Sequence, residues 1–148
     1  QFPLDVAHIL VRDLHTMADE VRQTPADKLW ATLPGINNSV GTLAWHLCGN
    51  LRHFIGSTLG GDGYVRQREA EFSTRGLSHD EVVAEIEATA AAVEAALTGL
   101  DPNRLNEEFL NPPPHHQGRT VRYFLIQLVS HFQRHRGQLD YLRRMLGA

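Results

Sequence analysis

Apolar residues recur along the chain with the period of an α-helix in two segments of its first half. The first segment runs from Pro3 to Arg22, and its apolar residues return every three or four positions. The second follows Ser39, a residue type typical of a helix N-cap, and continues to about Ser57. The apolar faces of these two predicted helices consist of Leu4, Ala7, Val11, Leu14, Ala18 and Val21, and of Val40, Leu43, Leu47, Leu51 and Phe54.

The second half of the chain predicts two further long helices. Ser78 and Glu81 have the S-x-x-E spacing of a capping box, and Gly99 marks the end of the helix that they begin. Thr120 caps the fourth helix, which extends to about Leu146. Their expected core residues are Val82, Ile86, Ala90, Val93 and Leu97, and Val121, Phe124, Leu125, Leu128, Phe132, Leu139 and Leu142.

The segments between these helices have different signals. Thr24 is the expected N-cap of a short helical turn after the first helix. Residues 59–76 contain four glycines and no apolar period, so we interpret them as a long loop. Residues 101–119 contain three consecutive prolines and cannot be helical throughout, and a short strand or hairpin near Phe109 and Leu110 stays open.

The pattern as a whole predicts an all-α protein, a four-helix bundle that forms a single domain over residues 1–148. The link between the second and third helices has about 20 residues, more than the usual two to eight between adjacent bundle helices. Such a link can cross the bundle. We therefore expect long crossover connections rather than simple up-down-up-down order.

The amino-acid composition limits the classes of molecule that the protein is expected to bind. Lys and Arg number 14 against 17 Asp and Glu, a net charge of −3, which gives no reason to expect nucleic acid. No apolar run approaches the roughly 20 residues of a membrane span, and no signal-peptide pattern opens the chain. Cys48 is the single cysteine and is interpreted as a small core residue. We expect a cytoplasmic protein with neither a nucleic-acid nor a membrane partner.

Three of the nine histidines are candidate ligands of a metal ion. His131 and His135 are four residues apart in the fourth helix, so their Cβ atoms lie about 6 Å apart on one face. His46, at the edge of the apolar face of the second helix, can supply a third imidazole. Three neutral imidazoles and one open position characterise catalytic zinc sites, although imidazole also suits nickel, iron and copper. The alternative is that each histidine bonds a backbone carbonyl or a carboxylate.

Three further residues are candidates for supporting the site or binding substrate. Asn50 lies one turn after His46 and can bond a metal-bound water or a ligand imidazole. His53 shares the same face one turn further on and is a candidate lining residue of a cleft, or a partly exposed side chain. Gln138 has the helical phase to approach the mouth of the site.

The remaining histidines are interpreted as lying outside the site. His8 and His15 flank the apolar face of the first helix, where one of them could reach the site as a base or an extra ligand. His115 and His116 follow the three prolines and are expected to be exposed to solvent.

Two motifs resemble those of the DinB-like superfamily, which includes the YfiT-like proteins. These are WHLCGNLRHF at residues 45–54 and HFQRHRGQL at residues 131–139, and the resemblance extends over essentially the whole chain. It implies a four-helix bundle in which His46, His131 and His135 bind a divalent metal, with zinc or nickel expected.

The resemblance also implies a bacterial enzyme that acts on a small-molecule substrate. Our leading hypothesis is a metal-dependent transferase that uses a low-molecular-weight thiol such as bacillithiol, mycothiol or glutathione. The alternatives are a non-enzymatic, metal-stabilised dimeric binding or stress-response module and a metal-dependent hydrolase. A homodimer is expected, with Tyr123, Phe124 and Tyr141 as candidate interface residues.

Overall fold

The computed structural model describes residues 1–147, and these residues form five α-helices. No helix in this range is long and apolar enough to cross a lipid bilayer. Short 3₁₀ turns occupy Ala26–Lys28, Pro102–Asn106 and Pro114–His116. The α-helices are α1 (Phe2–Gln23), α2 (Val40–Leu51), α3 (Arg68–Ser73), α4 (His79–Thr98) and α5 (Val121–Met145), and α2 continues as a π-helix over Arg52–Leu59.

The four long helices and the three N-caps predicted for them are confirmed. The side chain of Ser39 accepts a hydrogen bond from the backbone of α2, and that of Thr120 accepts one from the backbone of α5. Ser78 and Glu81 form both hydrogen bonds of the capping box at the start of α4. Each cap satisfies a backbone N–H that the first turn of a helix leaves without a partner.

The packing order of the bundle explains its crossover connections. α1 packs mainly on α4 and also on α5, whereas α2 packs on α5 and α4. Helices α1 and α2 touch only slightly, so the link over residues 24–39 crosses between opposite corners, as does the link between α4 and α5. The long link between α2 and α4 joins neighbouring helices instead, and its length serves to carry α3.

Two local expectations were wrong. Thr24 does not begin a helical turn: it ends α1, and its hydroxyl donates a hydrogen bond to the Glu20 carbonyl at 2.9 Å. The 3₁₀ turn that follows begins at Ala26, and the preceding Pro25 gives it no side-chain cap. Residues 59–76 are not loop throughout, because they contain α3, which packs on α2. A helix of six residues is too short to display an apolar period.

The proline-rich link, residues 101–119 between α4 and α5, is anchored in the core by one phenylalanine. Phe109 is 1% exposed, and its ring stacks on that of Phe124 with centroids 4.1 Å apart. An isolated bridge between Glu108 and Thr120 holds this segment against the start of α5, which resolves the open question of a strand. Phe124 is 2% exposed and therefore cannot be a dimer contact, whereas Tyr123 and Tyr141 are exposed.

Replacement of Ser78, the N-cap residue of α4, tests how much this cap stabilises the protein. Ser78→Ala removes the oxygen that accepts from the Glu81 backbone at 3.1 Å. We expect the free energy of unfolding, measured by urea denaturation, to fall by about 1 kcal/mol. Ser130→Ala changes an exposed serine in the middle of α5 and should change that free energy by less than about 0.5 kcal/mol. Equal effects of the two substitutions would contradict the capping role.

Candidate metal centre

The fold brings His46, His131 and His135 into one cluster. α2 packs on α5, so the ring of His46 lies 5.4 Å from that of His131 and 5.5 Å from that of His135, between centroids. The two rings on α5 are 4.5 Å apart. Each side chain offers one ring nitrogen, and these nitrogens all lie within 4.8 Å of one another.

The spacing of these nitrogens fits a single divalent ion after small adjustments. Zinc binds imidazole nitrogen at about 2.1 Å, and tetrahedral geometry then separates two ligand nitrogens by about 3.4 Å. The nitrogens, which lie up to 4.8 Å apart, would have to move closer together to bind one ion in this geometry. Imidazole is a ligand for zinc, nickel, copper and iron alike, so the donor set suits a first-row transition metal rather than calcium or magnesium.

A buried carboxylate fixes the orientation of His46. Glu71 on α3 is 3% exposed, and its Oε1 lies 3.0 Å from Nδ1 of His46. Arg66 donates two hydrogen bonds to the same carboxylate, at 2.8 and 2.9 Å. Burial alone would raise the pKa of Glu71, but the hydrogen bonds from His46 and Arg66 outweigh it and lower the pKa. Since the carboxylate can only accept, Nδ1 of His46 donates, and Nε2 keeps its lone pair.

Gly49 makes room for this carboxylate. A Cβ atom at this position would lie 2.0 Å from Oε2 of Glu71, so any side chain would displace the carboxylate. Gly49 is the glycine of the H-L-x-G-N motif and lies three residues after His46. The motif therefore combines a candidate metal ligand with the space that its supporting carboxylate needs.

The two histidines of α5 are supported differently. Oε1 of Gln138 lies 2.8 Å from Nδ1 of His135, and an amide oxygen accepts, so this ring nitrogen donates and Nε2 is left with a lone pair. Nδ1 of His131 is buried and has no hydrogen-bond partner within residues 1–147. A buried nitrogen without a partner is costly, and a bound ion would remove that cost for any ring nitrogen that it engages.

The surroundings of His131 and His135 favour neutral imidazoles. Burial, together with repulsion from the neighbouring His135 and His46, lowers the pKa of His131 to about 4. Burial also lowers the pKa of His135, against the opposing hydrogen bond to Gln138. A metal binds the deprotonated ring, so these two side chains are in the ligand form at neutral pH.

The cluster lies in the wall of a cleft of about 550 Å³. Its apolar lining includes three phenylalanine rings, of which Phe72 lies 4.7 Å from the ring of His46. The 3₁₀ turn Pro114–His116 contributes His115 and His116 on the side of the proline-rich link. The candidate metal centre is therefore open to a small molecule on one side, unlike a closed structural site.

The cleft contains some of the predicted supporting residues and not others. Asn50 lines it and is 7% exposed, and Oδ1 of Asn50 has no partner among the described residues. His53 is not among the lining residues that the structure describes, and its ring packs edge-on against Phe54 at 4.7 Å. Gln138 contacts His135 from an adjacent groove.

Histidines outside the cluster are placed partly as expected. His8 and His15 are exposed on α1 and line a separate groove with Glu94 of α4, so neither reaches the cluster. His115 is exposed, as predicted. His116 is half-buried instead, because the 3₁₀ turn folds its ring to within 5.8 Å of the ring of Phe124.

Sequence reasoning missed Glu71 and Arg66 entirely. Both lie in the segment interpreted as a loop, and Glu71 is 25 residues from the histidine that it supports. The available signal was the run REAEF at residues 68–72, in which Arg, Glu and Ala are good helix formers. Nothing in the local pattern indicates which of its two glutamates is buried.

Fold and site together define a helical-bundle protein with a candidate three-histidine metal centre. The model of the family described as "Protein of unknown function (DUF1572)" matches residues 3–148, and the chain belongs to this family. A DinB-like protein from Bacillus cereus, solved by crystallography, has the same fold with a TM-score of 0.71 and 20% identity, covering 98% of this chain and 91% of that chain. The DinB-like resemblance is thus confirmed for the fold. No curated protein matches the chain significantly.

The low pKa of His131 predicts an acid-dependent loss of stability in the metal-free protein. The pKa of this residue is lowered from 6.5 to about 4, so between these pH values the unfolded chain binds a proton that the folded chain does not. The stability that depends on neutral His131 is therefore fully present above about pH 6.5 and is lost as the pH falls to about 4.

The measurement is urea denaturation across this pH range in the presence of a chelator, for the wild type and for His131→Gln. We expect the stability of the wild type, relative to the variant, to decrease steadily on acidification. A difference between the two proteins that stays constant from pH 7 to pH 4 would contradict the assignment.

Proposed function

We propose that this protein is a divalent-metal-dependent enzyme that transfers the sulfur of a low-molecular-weight thiol to an electrophilic small molecule. The observation that carries the proposal is the three-histidine cluster with its open side on a cleft of about 550 Å³. His46, His131 and His135 would hold the ion, and zinc or nickel suits this donor set. When bound, a divalent ion lowers the pKa of a coordinated thiol and makes the sulfur nucleophilic at neutral pH.

The side chains around the cluster perform the remaining tasks. Glu71 and Gln138 hold the imidazoles of His46 and His135 with Nε2 available, which prepares the ligand set before the ion arrives. In the transfer step, the thiol sulfur bonds to the electrophilic carbon, the leaving group departs with its bonding electrons, and the thiol proton passes to solvent.

The open cleft is the reason to prefer an enzyme over a metal-stabilised binding module. Structural metal sites use all of their coordination positions for protein ligands, whereas catalytic sites keep one position for water or substrate. The bundle also has an apolar core that does not involve the cluster, so the ion has no evident task in folding. We further propose a cytoplasmic homodimer, in which the exposed rings of Tyr123 and Tyr141 remain candidate contacts.

Metal content and thiol conjugation of histidine variants test the proposal. We expect His131→Ala and His135→Ala to lose stoichiometric metal, measured by elemental analysis of protein purified without a metal-affinity column. Both should also lose metal-dependent conjugation of glutathione, bacillithiol or mycothiol to a chromogenic electrophile. His15→Ala, an exposed histidine of α1, should retain wild-type metal content. Full metal content in the double variant would refute the ligand assignment, and no conjugation by metal-loaded wild type would refute the reaction.

Glu71→Gln tests the support of His46 separately from the ligands. The amide preserves the shape of the side chain but removes the negative charge that orients and strengthens the imidazole. We expect metal affinity, measured by competition with a chromophoric chelator, to fall by about 10- to 100-fold. Glu69→Gln, an exposed position on the same short helix, is the matched control and should leave the affinity unchanged. Equal affinities of Glu71→Gln and wild type would show that the carboxylate does not support the site.

A further inference from the structure

We infer that the cleft selects a thiol that carries an anionic group, and that Arg68 binds this group. The inference rests on the proposed function, since it describes the co-substrate of the same site. The lining of the cleft carries arginines and no carboxylates: its residues include Arg66 and Arg68, and no aspartate or glutamate is among those that the structure describes. His131 and His135, which also line the cleft, are neutral and add no charge.

This composition differs from that of the chain as a whole. Acidic residues outnumber Lys and Arg by 17 to 14, so a lining drawn at random would include carboxylates. A metal ion in the cluster would add further positive charge at the same place. A cleft with this charge attracts an anion and disfavours a cationic ligand.

The two arginines of the lining are not equivalent. Arg66 is engaged by Glu71 through Nε and Nη2, so much of its donor capacity is already used. Arg68 lies at the start of α3, is exposed, and has no ion pair among residues 1–147. Its guanidinium carbon lies 5.4 Å from the centroid of the Phe72 ring, a cation–π contact that holds the group beside the cleft.

Phe72 also sets the distance between Arg68 and the metal cluster. The same ring that Arg68 contacts lies 4.7 Å from the ring of His46, so one phenylalanine separates the free guanidinium from a candidate metal ligand. A flexible thiol of tripeptide size can place its sulfur at the cluster and a carboxylate at Arg68. A guanidinium binds a carboxylate through two parallel hydrogen bonds, which makes Arg68 a selective contact as well as a charge.

A matched pair of thiols tests this inference. Glutathione and its analogue with both carboxylates replaced by carboxamides share the same sulfur and nearly the same shape. We expect calorimetric titration of metal-loaded wild type to give a dissociation constant about tenfold lower for glutathione, because hydrogen bonds to charged groups are the stronger kind. Arg68→Gln should reduce this preference to about twofold or less, and Arg68→Lys, which keeps the charge without the fork, should give an intermediate value.

Arg119→Gln is the control for the loss of one positive charge. Arg119 is also an exposed arginine stacked on an aromatic ring, at 4.8 Å from the centroid of Tyr123, but it is not among the described lining residues. The preference for glutathione should be unchanged in this variant. Equal dissociation constants of the two thiols for wild type, an unchanged preference in Arg68→Gln, or no binding of either thiol would overturn the inference.

A spectroscopic measurement separates this inference from the proposed function. In cobalt-substituted protein, a thiolate bound to the ion gives a charge-transfer band in the near ultraviolet, and the amide analogue should give the same band at saturation. A preference for glutathione without the band would support the anion site and reject the role of the thiol. A band for both thiols with equal dissociation constants would support the thiol and overturn the role of Arg68.

Discussion

The buried contact between the Glu71 carboxylate and the His46 imidazole is the interaction on which the candidate site depends. A carboxylate that is 3% exposed is stable only if hydrogen bonds replace its water, and His46 and Arg66 provide them. The contact fixes the tautomer of His46. It also requires glycine at position 49, and it explains why the link between α2 and α4 is long enough to carry a helix of its own.

The packing order of the bundle places the His46 ring, oriented by this contact, beside the other two histidines. Because α2 lies beside α5, the oriented ring of His46 faces His131 and His135, and burial keeps the imidazoles of α5 neutral. The same arrangement leaves one side of the cluster open to a cleft lined by aromatic rings and by basic side chains. The candidate ligands are supported by α3 and Gln138, whereas residues of the proline-rich link, including His115 and His116, line the cleft on the other side.

The sequence predicts those features that repeat along it or that have a local chemical signature. Helical period and cap residues located the four long helices, and two histidine motifs indicated which rings meet in the bundle. The role of Glu71 could not be predicted, because α3 is too short to show a period and because its contact with His46 spans 25 residues. The place of His116 was missed for a similar reason, since its burial depends on how Phe109 anchors a link whose short 3₁₀ turns show no apolar period.

The most direct test of this account is X-ray absorption spectroscopy of the protein purified without a metal-affinity column. The account predicts about one zinc or nickel ion per chain, with three imidazole nitrogens at about 2.0–2.1 Å and room for one further ligand. It also predicts that added thiol introduces a sulfur neighbour at about 2.3 Å. Protein that binds no stoichiometric metal, or an ion whose neighbours lack the scattering pattern of imidazole, would contradict the central claim.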